Sequence, residues 1–171
     1  FLVLDDTNQP HFIDSTKISG GKFKFQGKFE VPRYCTINIY LDPNDRQTRS
    51  KIINFSLFID STAVEATCNY SGKHPVFQIS GSGTQTEYQN YLSEIQPMED
   101  DRSKTFHAYG EAYYSTKDLA KAIDLAKLVT EKRLAIREAK MKYLKAHPES
   151  AISVKIAQEL SDRNSDLSLK E

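Results

Sequence analysis

The sequence predicts an α+β chain: an N-terminal antiparallel β-sandwich-like domain followed by a helical segment. Three observations predict it. Up to residue 80, apolar side chains recur every second position, the period of a half-buried strand. After Gly81-Ser82-Gly83 the spacing changes to three and four, and the composition shifts to Lys, Glu and Ala. The intervening turns, Asp42-Pro43-Asn44-Asp45 and Ser71-Gly72-Lys73-His74-Pro75, are built from residues that reverse a chain between antiparallel strands. Regularly spaced short strands of this kind form sandwiches or open barrels.

Taken in order, Phe1–Asp5 and His11–Ile13 read as two strands joined by the turn Asp6-Thr7-Asn8-Gln9-Pro10. Phe23, Phe25 and Phe29 alternate with Lys22, Lys24, Gln26 and Lys28, with Gly27 as a bulge or close approach. Cys35, Ile37, Ile39 and Leu41 share one face of the next strand, against Thr36, Asn38 and Tyr40. A polar stretch, 46–51, separates it from a strand with Ile53, Phe55, Leu57 and Ile59 on one face. Val64, Ala66, Cys68 and Tyr70 line another strand, and Val76–Ser80 forms the last. The domain is expected to span 1–83.

The helical segment is expected over 84–161. Thr84-Gln85-Thr86-Glu87 fits a capping box, with Thr84 as N-cap and Glu87 three residues in. Tyr88, Tyr91, Leu92 and Ile95 follow at helical spacing, and Pro97 is expected to stop the helix. A second helix over 100–114 is weakened by Gly110. Ser115-x-x-Asp118 resembles another capping box. It opens a long helix to Ala146, with Leu119, Ile123, Ala126, Val129, Ala135, Ile136, Met141 and Leu144 as its apolar stripe. Arg133 and Arg137 interrupt that stripe, so it is not a clean heptad; packing against another helix within the chain is the simpler account. The Lys and Arg residues are assigned to the solvated face. His147-Pro148 breaks the helix, and Pro148 or Ser150 starts a last one to Leu160. Residues 162–171 read as a polar tail or linker.

Composition narrows the function classes. Hydrophobic residues make up 39% and charged residues 27% of the 171 positions, an ordinary folded composition. Lys plus Arg and Asp plus Glu both number 23. No global positive field exists to attract nucleic acid, so none is expected as a partner. No apolar run approaches the roughly 18–20 residues that span a bilayer. The chain opens on Phe1-Leu2-Val3-Leu4 without Met, which reads as a strand entered partway. A signal sequence and a first strand are therefore expected before Phe1.

Catalytic chemistry is sparse. Cys35 and Cys68 stand 33 residues apart with no Cys-x-x-Cys, which excludes the usual zinc and redox spacings. Both lie on apolar strand faces, as free buried thiols or as an inter-sheet disulfide; geometry decides between them. Gly81-x-Gly83 before a helix resembles a phosphate loop, but Thr86 stands at the third glycine position and no Gly-Lys-Ser/Thr follows. A tight strand-to-helix turn is the better reading. His11 and Asp14 point to opposite faces of a strand, which argues against paired metal ligation; His74, His107 and His147 are isolated. No catalytic, cofactor or metal site is expected. Tyr34, Tyr40, Tyr70 and Phe58 could make an aromatic platform for a glycan or peptide. Among these, Tyr40 and Phe58 lie opposite their strands' main apolar sets, which marks them for a partner surface or for contact with the helices.

Several short motifs occur in a telling order. Phe12-Ile13-Asp14-Ser15-Thr16-x-Ile18 is followed by Gly21-Lys22-Phe23-x-Phe25-x-Gly27 and by Val31-Pro32-x-Tyr34. Phe55–Ile59 and Ile79-Ser80-Gly81-Ser82 come next, and Tyr143-Leu144-x-x-His147-Pro148-x-Ser150 later. Together these resemble the N-terminal domain of unknown function found in many Bacteroidota thioredoxin-like proteins, over roughly residues 1–165. The resemblance implies an accessory, non-catalytic module. Its partner would be a C-terminal thioredoxin-like domain of the peroxiredoxin type carrying Cys-x-x-Cys, a motif this chain lacks. It further implies a periplasmic or cell-envelope setting, with membrane attachment only through a lipid anchor outside this chain. An envelope protein or a second copy of the chain are the other implied partners. Asp14–Thr16 and Asp60–Thr62 also resemble O-glycosylation acceptors of exported proteins in that phylum. The different class of function left open is a stand-alone glycan- or peptide-binding module.

Overall fold

A computed structural model of the chain describes residues 2–4, 11–26, 29–40, 52–70 and 75–162. The turns at 5–10, 42–45 and 71–74, the polar stretch up to residue 51, Gly27 and the tail from residue 163 lie outside the described residues. The chain divides into two compact units, Phe1–Tyr88 and Gln89–Glu171. The class expected from the sequence, α+β with strands preceding helices, is the class observed.

Among the described residues, the first unit holds six strands: β1 (Leu2–Leu4), β2 (His11–Asp14), β3 (Arg33–Tyr40), β4 (Ile52–Ile59), β5 (Glu65–Tyr70) and β6 (Pro75–Ser80). They form a four-stranded sheet ordered β2-β1-β3-β4 and a separate β5-β6 pair, antiparallel throughout. The two sheets are unequal, and a sandwich is not established by them. Cys35, Ile37, Phe55 and Leu57 form the core on one face of the larger sheet. Ala66, Phe77 and Ile79 from the smaller sheet, with Val64 just before it, pack on this core, and Phe55 and Phe77 stack at 4.2 Å. Two strands cannot cover four, and Phe23, Phe25 and Phe29 complete the cover.

Those three phenylalanines were expected on a strand of their own and are not on one. Among the described residues there, the ladder contact is the bridge Ser19–Lys22. Its two hydrogen bonds, 2.9 and 3.0 Å, close a tight turn through Gly20 and Gly21 at φ 57° and 74°. Two consecutive positive φ values define the hairpin turn that glycine favours. Burial alone explains the alternation of the phenylalanines, without a partner strand.

The expected cap and helix stops also move. Helix α1 runs Gly83–Gly110, continuous through Pro97. Its N-cap is Ser82, not Thr84: the Ser82 Oγ accepts from the Gln85 N–H at 3.0 Å. The helix survives Pro97 because its covered stripe, Tyr91, Ile95, Met98, Arg102 and Thr105, stays in phase on both sides of the proline. A π-helical segment, Glu111–Thr116, follows and ends at Lys117 with φ 57°. Asp118, not Ser115, caps α2 (Leu119–Ala146), accepting from the Lys121 N–H at 3.1 Å. Ser150 opens α3 (Ala151–Asp162), its Oγ accepting from the Ile152 N–H at 3.1 Å.

In the second unit α1 and α2 form an antiparallel hairpin. Tyr91 meets Tyr143 at 4.8 Å, and farther along, Lys140 pairs with Glu99 and Lys132 with Asp101. The covered stripe of α2 is Ala122, Leu125, Val129, Lys132, Ile136, Ala139 and Tyr143, alternating steps of three and four. The stripe expected from the sequence is rotated from this one, so Leu119 and Ile123 are exposed. Lys140, assigned to the solvated face, is 5% exposed.

Candidate functional site

The face of the larger sheet away from its core carries three of the aromatic residues singled out from the sequence, Tyr34, Tyr40 and Phe58. Cross-strand pairing sets Tyr34 opposite Phe58, Thr36 opposite Ser56, Asn38 opposite Asn54 and Tyr40 opposite Ile52. The Thr36 and Ser56 hydroxyls bond at 2.9 Å. At the Tyr34 end, Tyr88 of α1 closes over the sheet, with ring centroids 5.6 Å from Tyr34 and 5.1 Å from Phe58. Tyr34 and Tyr88 hydroxyls lie 3.3 Å apart.

Phe58 is thereby 2% exposed. Of the two roles open to it, it takes the helix contact, and its ring is not offered to a partner. Tyr40, at the other end of the strand, is half-buried. The aromatic platform reduces to Tyr40 among the residues proposed for it whose side chains are described outside this cluster.

The first turn of α1 is held by two further contacts. Gln85, 3% exposed, accepts through Oε1 from the Phe58 N–H at 2.7 Å. β4 is an edge strand, and this N–H points away from β3; the glutamine supplies the acceptor that a neighbouring strand would have given. The second contact is a polar cluster around Asp60. One carboxylate oxygen accepts from the Thr62 N–H at 2.8 Å and from the Thr62 hydroxyl. The other accepts from Ser82 Oγ at 2.7 Å and lies 3.5 Å from the Thr84 N–H. Thr62 Oγ1 also reaches the Gly81 carbonyl at 2.9 Å. Hydrogen bonds from Thr62 first, then from Ser82, hold the Asp60 carboxyl well below the usual carboxylate range.

Asp60 thus stands where a phosphate would stand at a helix N-terminus. The phosphate-loop likeness of Gly81-x-Gly83 resolves into a strand-to-helix turn whose anion is the protein's own. Gly81 is required there. Its φ is 98°, and a Cβ would fall 2.1 Å from the Ala63 carbonyl oxygen. The cluster looks like a nucleophile set, yet its chemistry opposes that. A carboxylate held this acidic is a poor general base, and Ser82 is 2% exposed.

Both cysteines are free thiols. Burial pushes the Cys35 thiol up to about 11, and Cys68 is raised by the same cause. Among the described residues no group of three His, Cys, Asp or Glu side chains could hold a metal ion. His107 and His147 are exposed, and His147 stacks on Tyr143 at 4.4 Å. The two Asp-Ser-Thr triplets separate: Asp60 and Thr62 are engaged in the junction, whereas Ser15 and Thr16 are exposed. Among the described residues no helix is long and apolar enough to cross a membrane.

Sequence reasoning missed Ser82, Gln85 and Asp60 as a set. The signal was present as Ser82-x-x-Gln85, a capping-box spacing two residues before the one chosen. The Asp60 contribution comes from 22 residues away and has no local signature.

These features define a small antiparallel sheet domain closed by the first turns of a helix and clasped to it by its own carboxylate. The chain belongs to the family described as Domain of unknown function (DUF4369), whose match covers residues 1–88. That match ends at Tyr88, the last residue of the first unit. The sheet domain was expected to span 1–83; Gln85 and Tyr88, just past that bound, also contact its strands. No curated protein and no solved structure matched the chain.

Proposed function

We propose that this chain is a non-catalytic accessory module. Following the resemblance in its motifs, the proposed setting is the periplasm or cell envelope, and the proposed partner is a thioredoxin-like domain carried by a longer protein. One observation carries the reading: among the described residues, the hydroxyl and carboxylate cluster at the helix start and the Cys35 thiol are engaged or buried within the sheet domain. Asp60, Thr62 and Ser82 satisfy one another around the helix start, and Cys35 is fully buried with a raised thiol. A thiol of that kind is not a nucleophile at neutral pH. The module's work is then to position its partner, to oligomerise it or to select what it meets.

The test is a thiol-disulfide assay on a longer protein carrying this chain, compared with the same protein lacking residues 1–162. Changed substrate choice, stability or oligomeric state is expected on deletion. If all three are unchanged, the accessory role is refuted.

A further inference from the structure

We infer that α2 carries a self-association face, on which a second copy of this chain docks antiparallel along the stripe from Leu119 to Met141. The face lies within the helical unit. It does not rest on the function proposed above, because it requires neither an envelope setting nor a thioredoxin-like partner.

α2 has an apolar stripe besides the covered one. It holds Leu119, Ile123, Ala126, Thr130, Leu134, Arg137 and Met141. At 3.6 residues per turn these fall within an arc of about 80° and run for about 33 Å. Leu119, Ile123 and Leu134 leave half or more of their surface open, and Met141 more than a third. Ala126 and Thr130 are exposed as well, and Arg137 is half-buried. Single exposed apolar residues need no explanation, whereas a continuous row marks an interaction surface.

The spacing of the row selects its occupant. Its steps are four, three, four, then four, three, four. Two eleven-residue repeats stay close to the period of the helix itself, so the row runs nearly straight. The series reads the same from either end, with Thr130 at its centre. A second copy laid antiparallel therefore presents the same spacing in register. Leu119 then faces Met141 of that copy, Ile123 faces the stem of Arg137, and Ala126 faces Leu134. Small residues meet large ones across the pair. The two Thr130 side chains meet at the two-fold axis of an isologous contact. A parallel pair would instead set Arg137 against Arg137.

Charge on the edge of the row agrees. Lys127 and Glu131 are both exposed and stand on the same edge. In the antiparallel register Lys127 comes opposite Glu131 of the second copy, offset by only about 3 Å along the axis. The two-fold axis makes that contact twice. Lys127 lies 3.7 Å from Asp124 of its own helix, with side chains 70% and 80% exposed, a surface pair worth little against the exchange.

The test is sedimentation equilibrium of the full chain from low micromolar to near-millimolar concentration. A monomer–dimer equilibrium with a Kd of about 1–100 µM is expected, the strength of a small interface. Ile123→Glu and Leu134→Glu, each checked for native helix content by circular dichroism, are each expected to weaken it about tenfold or more. Glu131→Lys is expected to weaken it about threefold, and adding Lys127→Glu to restore it. In a Cys68→Ala background, Thr130→Cys is expected to form a disulfide-linked dimer on mild oxidation. Packed helix axes about 8–10 Å apart bring Cα atoms at the two-fold axis close to the span of a disulfide. Leu128→Cys, exposed on the opposite side of α2, is expected to cross-link far more slowly. A monomer throughout the range, or a dimer indifferent to both apolar substitutions in folded protein, would overturn the assignment. So would a charge reversal without effect or without recovery, or equal cross-linking at positions 128 and 130.

Discussion

Replacing Asp60 by alanine is expected to cost about 2–5 kcal/mol of folding stability, most of it through Ser82. Ser82 is 2% exposed and donates its hydroxyl to Asp60 at 2.7 Å. A buried hydroxyl that loses its acceptor costs about 1–3 kcal/mol. Thr62 is exposed and can turn to water or to the Gly81 carbonyl, so its two bonds to Asp60 add only about 0.5–1 kcal/mol. The negative charge beside the Thr84 N–H adds about 0.3–1 kcal/mol through the helix dipole. Because the folded carboxyl is more acidic than the unfolded one, the ionised form favours folding. Its contribution is complete above the unfolded value of about 3.9 and is lost as pH falls through the lower folded value. Urea unfolding of wild type and Asp60→Asn, followed by circular dichroism, should show a stability gap that is constant above about pH 5 and narrows as the pH approaches 2. A loss below about 0.5 kcal/mol for Asp60→Ala, or a gap that does not narrow in acid, would refute the clasp.

Three further outcomes are expected. Gly81→Ala combines a positive φ with a Cβ 2.1 Å from a backbone oxygen, and a shift of the Ala63 loop or a loss of at least about 2 kcal/mol in a denaturant titration is expected. Cys35, with its thiol raised to about 11, should present roughly one thiolate in a thousand near pH 8; a thiol-reactive dye should label it only after unfolding, and rapid native labelling would contradict its burial. Lys140→Ala sets Glu99 and Glu159 together without their shared cation. A loss of about 2–4 kcal/mol is expected, below the full cost of a buried pair because the Glu159 side chain is 32% exposed; Lys140→Met with unchanged thermal stability would show that packing of the stem, not the ion pairs, is what matters there.

The strands of the sheet domain were legible wherever one face was buried, because alternation and burial report the same fact. β3 and β4 fall on the expected residues for that reason. The phenylalanines at 23, 25 and 29 show the limit: period two records which side chains go inward, not whether a neighbouring strand exists to hydrogen-bond. Pro97 misled for the converse reason. The local penalty was visible, but the stripe from Tyr91 to Thr105 that outweighs it is only recognisable once the partner helix is known. In α2, small alanines at 122 and 139 carry the covered face while larger Leu119 and Ile123 stay out, so ranking by hydrophobicity rotated the stripe. Of the aromatic pair, Phe58 could be placed on the second face of the sheet from sequence, but not beneath Tyr88.

The bond from the Phe58 N–H to Gln85 has a consequence for the life of the protein among copies of itself. β4 closes one side of the four-stranded sheet, and an open strand there is a template on which another chain can add by backbone pairing. With Gln85 already bonded to that donor and Tyr88 seated over the adjacent ring, an incoming strand must first lift the start of a helix. The sheet is thus guarded from strand addition on that side by an element whose sequence carries no sign of the task.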